Sequence, residues 1–214
     1  MSTIYEMKHV KNLTNFETLI SLVSSYGKAY QPKNQALRLE NLQAKAITAH
    51  QAIEQLNALL PSYSNAMMLR EVAFEPLAKL RSRFFELLKT TAEDHVPSEQ
   101  DLSLQTYYDN MLESLAQQVK LLASVPAKGT GQVDLQAETL RTLYNDLHVK
   151  NETAVNQIIL LNEAKMTCNE VMYHKETGLV SIALLTKEYI QSLYSEKNSN
   201  YQKVSILEFI HVNP

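Results

Sequence analysis

Apolar positions along this chain recur with a helical period over almost its whole length. Leu42, Ala46, Ala49, Ile53, Leu56 and Leu60 alternate at intervals of four and three, the seam that a helix lays lengthwise against its neighbours. Leu104, Tyr108, Met111, Leu115, Val119 and Leu122 repeat the pattern, and Ala154, Ile158, Leu161 and Cys168 continue it less regularly. The residues between them are mostly Gln, Glu, Lys, Ala and Asn, several of them strong helix formers. Gly27 with Pro32, then Pro61, Pro97, and Pro126 with Gly129 and Gly131 cut the chain into segments of ~20–35 residues. The pattern predicts an all-α protein, a bundle of about six helices with an extended C-terminal tail.

Local signals refine the boundaries. Pro61 suits the first turn of a new helix running from about Tyr63 to Thr91, which Pro76 should kink. Ser98 is placed to cap the next long helix, with Asp101 favouring its first turn, and Asn151 offers a further cap. The segment ending at His9 reads as a frayed terminus. Gly178 interrupts an otherwise very long final helix and predicts a break there. From Tyr201 to Val212 the composition turns β-like, with Val204, Ile206, Phe209, Ile210 and Val212, so this tail is expected to cross the bundle surface in extended form.

The chain also resembles itself. At an offset of 98, Leu37, Glu40, Leu42, His50 and Glu54 match Leu135, Glu138, Leu140, His148 and Glu152; at 105, Glu71, Ala78 and Leu80 match Glu176, Ala183 and Leu185. The two offsets differ by two helical turns, which nearly preserves a helix face. The expected organisation is one helical domain, 1–214, built of tandem related units of about 14–98 and 108–205.

Composition narrows the classes. Of 214 residues, 45% are hydrophobic and 20% charged, too apolar for wholesale disorder. A single cysteine excludes an internal disulfide framework, and in its apolar-periodic setting Cys168 reads as a small buried hydrophobe. The net charge of −3 gives no global pull toward nucleic acid or anionic lipid. The N-terminus carries no apolar core for a signal peptide, and runs such as Ile158–Leu161 and Ile182–Leu185 fall far short of the ~20 residues of a membrane span. A soluble cytoplasmic protein with neither nucleic-acid nor membrane partners is expected.

Candidate chemistry is sparse. Lys128-Gly-Thr-Gly131 lacks both the spacing of a phosphate-binding loop and the strand that precedes one. Helical-bundle metal centres set Glu-x-x-His pairs on one helix face; Glu6 and His9 have that spacing in the N-terminal segment. Three pairs one turn apart also share a face: His50 with Glu54, His148 with Glu152, and Glu170 with His174. The first two are related by the proposed repeat, so His50, Glu54, His148 and Glu152 are the candidate metal ligands; a solvated helix face is the plainer account of the same spacing. No local motif for a nucleophile or an acid–base pair is present, and no catalytic residue or cofactor is assigned. Lys79, Arg81, Arg83 and Lys89, interleaved with Phe84 and Phe85, form a basic stripe that Glu71, Glu75 and Glu86 dilute. The expectation is a non-enzymatic interaction or scaffold protein, partnered by itself as a homo-oligomer or by another protein. The alternative is a small-ligand or metal-binding bundle.

Tyr30-Gln-Pro32, Arg70-Glu-Val-Ala-Phe74, Tyr173 with Glu176-Thr-Gly-Leu-Val180, and Ser199-Asn-Tyr201-Gln-Lys-Val204 with Leu207 and Phe209 resemble a family of bacterial helical hypothetical proteins of about this length, common in the Bacteroidota. The resemblance runs from about Phe16 to Phe209 and implies a self-contained unit. It supplies no catalytic residue, ligand or partner.

Overall fold

The computed structural model describes the backbone of residues 2–89, 104–124 and 137–211, and the side chains of 7–77, 107–120 and 137–211. Its described elements are α1 (Ser2–Ser25), α2 (Leu39–Lys89), α3 (Leu104–Ser124), α4 (Ala137–Tyr173), α5 (Leu179–Leu193) and α6 (Ser199–Ser205), with 3-10 turns at Gly27–Ala29 and Gln35–Leu37. No strand occurs among the described residues, and the all-α expectation holds. None of the described helices is long and apolar enough to cross a membrane.

The contacts divide the chain into two compact units, residues 1–60 with 161–214 and residues 61–160. These units cut across the sequence-based repeats, although α2 and α4 do begin 98 residues apart. In the first unit α1 and α6 both pack on α5 and on each other. Phe16, Leu19 and Val23 of α1, Leu42 and Ala49 of α2, Cys168 and Met172 of α4, and Leu179, Val180 and Ile190 of α5 are buried there. The core of the second unit joins Phe74 and Leu77 to Tyr108, Met111, Leu112, Leu115, Val119, Leu140 and Leu147.

Pro61 does not begin a helix. Helix α2 runs unbroken for 51 residues with Pro61 and Pro76 inside it. Each proline removes one backbone donor, a local cost of about 3 kcal/mol in a helix interior. The buried face nevertheless continues across both, through Leu56, Ala66, Arg70, Phe74 and Leu77, because tertiary burial outweighs local propensity. Asn151 is likewise no cap: it lies within α4 and is buried. The N-terminal segment is seated from His9 onward, with the buried His9 ring bonded through Nδ1 to the Tyr173 hydroxyl at 3.0 Å. Ser98, Pro97 and the Pro126–Gly131 loop lie outside the described residues.

The predicted tail is extended only in its last part. Residues 199–205 form α6, whose start is capped by the Asn198 side chain accepting from the Asn200 amide at 2.8 Å. Val204 anchors this short helix, and the extended run follows it. Gly27 ends α1 with φ +54, the left-handed turn that glycine enters without steric cost.

Two buried acids make the first unit sensitive to alkali. The Tyr30 hydroxyl donates to the Leu37 carbonyl at 2.7 Å. Burial pushes its pKa up to about 12, with Thr186 opposing and Tyr189 adding to the rise. Burial pushes the Cys168 thiol up to about 11. Both groups hold their protons more tightly folded than unfolded, so their stabilisation is complete below pH 9 and is lost as pH climbs through these values. Lys187 runs the other way, because burial lowers its pKa against the opposing charge of Glu208. Urea unfolding at pH 8 and pH 11 is expected to show a loss of about 3 kcal/mol, since each tenfold difference in proton affinity between folded and unfolded chain is worth ~1.36 kcal/mol. A flat profile would contradict the burial of both groups.

Candidate functional site

In the second unit α3 and α4 present a groove of about 710 Å³, lined by Asp109, Leu112, Glu113 and Ala116 from α3 and by Tyr144, His148, Asn151, Glu152, Val155 and Asn156 from α4. Helical spacing creates this wall. Asp109, Glu113 and Ala116 fall one turn apart on α3, as do Tyr144, His148, Glu152 and Asn156 on α4, so each set projects along one stripe. Leu115 and Leu147 turn the other way and are held in the core, while Leu112 is shared by the core and the groove wall.

A polar assembly fixes the floor. Arg70, buried on α2, lays its guanidinium carbon 4.2 Å from the centre of the Tyr108 ring. Its Nη1 donates to Asn151 Oδ1 at 3.3 Å, and Asn151 Nδ2 donates in turn to Asp109 Oδ1 at 2.8 Å. A buried guanidinium requires such partners, because an uncompensated charge in the interior is very costly. Asn151 thereby orients the Asp109 carboxylate at the groove. Above it the Tyr144 and His148 rings stack, with planes 8° apart and centroids 5.7 Å apart.

The four candidate metal ligands meet different fates. His148 and Glu152 approach to 3.4 Å and both line the groove. His50 and Glu54 belong to the first unit, stand 3.9 Å apart and are well exposed. No group of three or more metal-ligating side chains comes together among the described residues. The third pair, Glu170 with His174, also forms, at 3.7 Å. The His174 ring is engaged in the turn that follows α4, where Nδ1 accepts from the amides of Glu176 and Thr177 at 3.3 and 3.2 Å. The side chains of the basic stripe, from Lys79 to Lys89, lie outside the described set.

Sequence reasoning missed Asp109, Glu113 and Tyr144. The signal was there: two carboxylates one turn apart on α3, and Tyr144, His148 and Glu152 at the same interval on α4. Nothing local indicated that the two stripes flank one groove. Compared with family models, with curated proteins and with solved structures, the chain matches none.

Proposed function

We propose that this chain is a non-enzymatic interaction protein whose α3–α4 groove receives a cationic segment of a partner polypeptide. The observation that carries the reading is the charge of the groove: Asp109, Glu113 and Glu152 border it, and among its described lining residues there is neither Lys nor Arg, the one Arg70 guanidinium standing behind Asn151. Carboxylates along a concave wall focus a negative potential and draw cations from solution. The volume falls within the ~300–1,000 Å³ of ligand-binding clefts, enough for a few long side chains. Leu112, Ala116 and Val155 supply apolar surface for the methylene stems of Lys or Arg, and the Tyr144 face suits a cation.

The test is a titration of the full chain with a fluorescein-labelled hexalysine peptide, followed by anisotropy. Exposed charge pairs are screened by salt, so binding is expected at low ionic strength and to weaken at least tenfold on going to a few hundred millimolar salt. The double substitution Glu113→Gln with Glu152→Gln removes two charges at nearly constant shape and is expected to lower affinity tenfold or more. Equal affinity of the two proteins would refute the assignment.

A further inference from the structure

The wall of the α3–α4 groove carries a flat feature that simple attraction of cations does not use. Tyr144 and His148, one turn apart on α4, lie with ring planes 8° apart and centroids 5.7 Å apart. At that separation the stack is offset, so each ring keeps part of its face uncovered by the other, and both line the groove. Carboxylates flank the pair. Glu152 Oε1 stands 3.4 Å from His148 Nε2, at the edge of the imidazole, and both side chains are open to solvent. Asp109 and Glu113 border the groove from α3.

The two cationic side chains ask different things of such a surface. A lysine ammonium is a compact, strongly hydrated point charge. An arginine guanidinium is planar and more weakly hydrated; it stacks on aromatic faces and presents its donors in a fork that matches a carboxylate. Parallel rings with a carboxylate at their edge meet both demands at once. Lysine can use the carboxylates, but it has no plane to lay against the rings.

The fold already holds one arginine in this way, behind the groove. Arg70 sets its guanidinium carbon 4.2 Å from the centre of the Tyr108 ring and donates from Nη1 to Asn151 Oδ1 at 3.3 Å. A tyrosine face and an oxygen acceptor at the guanidinium edge satisfy that residue. Tyr144 and Glu152 offer the same combination to a side chain arriving from solvent.

We propose that the groove selects arginine over lysine: the basic segment of the partner lays a guanidinium against the Tyr144–His148 stack and donates from its edge to Glu152. The selectivity rests on the groove being a cation-binding face and adds the identity of the side chain recognised there. Asp109 and Glu113 supply attraction that both cations share.

The test titrates the full chain separately with fluorescein-labelled hexaarginine and hexalysine at pH 8 and low ionic strength, followed by anisotropy. Hexaarginine is expected to bind at least tenfold more tightly. Arginine also grips isolated carboxylates well, so the ratio of the two affinities is then measured in variants that spare every carboxylate. Tyr144→Leu and, separately, His148→Ala are each expected to bring the ratio below threefold, with a smaller change in hexalysine affinity. The Tyr144 ring also packs on the core; His148 is half-exposed, so its replacement serves should Tyr144→Leu fail to fold. A smaller wild-type ratio overturns the selectivity while leaving the groove a cation site, and a tenfold ratio that the folded variants retain overturns it too. Binding of neither peptide would refute the cation site itself, and the selectivity with it.

Discussion

Replacing Phe16 with alanine is expected to lower the unfolding free energy by about 3–5 kcal/mol. Phe16 is fully buried on α1, in line with Leu13, Leu19 and Val23. This face packs where α1 meets α5 and α6, and the same helix carries Asn12, the residue that grips the tail. Truncation removes the transfer energy of the ring and leaves a cavity that backbone helices only partly close. Domains of ordinary stability have roughly 5–15 kcal/mol to lose, so this single change consumes a large share. Urea unfolding followed by circular dichroism measures it. A loss under about 0.5 kcal/mol, the range of surface substitutions, would show that the face of α1 has been misassigned.

The second large effect comes from the smallest residue. Gly178 precedes α5 with φ −66 and ψ 152, a conformation open to any residue. Its constraint is contact. A Cβ at this position would sit 2.5 Å from the His174 nitrogen, 2.6 Å from its carbonyl oxygen and 2.8 Å from the Tyr173 carbonyl carbon, all backbone atoms. Those atoms cannot yield separately. Gly178 donates to the His174 carbonyl at 2.9 Å, and that oxygen also accepts from the Ser181 hydroxyl at 3.1 Å. Gly178→Ala is therefore expected to cost about 3 kcal/mol, the upper end for overpacking. Gly27→Ala is the control. There a Cβ meets nothing within 4 Å and only the φ of +54 opposes it, a strain of roughly 1–2 kcal/mol. Equal losses at the two glycines would contradict the steric account of the α4–α5 turn.

These sites show what the sequence makes legible. The α2 seam from Leu42 to Leu56 and the α3 positions Tyr108, Met111, Leu115 and Val119 are buried as their spacing predicts, since a helical period states directly which face is apolar. The break at Gly178 was legible too, because glycine is rare in this chain. Pro61 misled: its local preference for a first turn is weaker than the continuous apolar face on both sides of it. Asn151 reads locally as a cap, yet it bridges Arg70 and Asp109, residues 81 and 42 positions away. Only tertiary placement reveals that role. The His50–Glu54 and His148–Glu152 pairs are indistinguishable in sequence, and only the second borders a groove. The β-like tail concealed α6, a helix of seven residues, too short for propensity to announce and held by the burial of Val204.

The central claim is that the α3–α4 groove is a binding face for cationic polypeptide, and hydrogen–deuterium exchange of the full chain with and without saturating hexalysine tests it most directly. The account predicts slower exchange confined to peptides covering 109–116 and 144–156, with the slowing lost in Glu113→Gln/Glu152→Gln. Unchanged exchange over those segments under conditions where the peptide binds, or protection located on α1 and α5 instead, would contradict it.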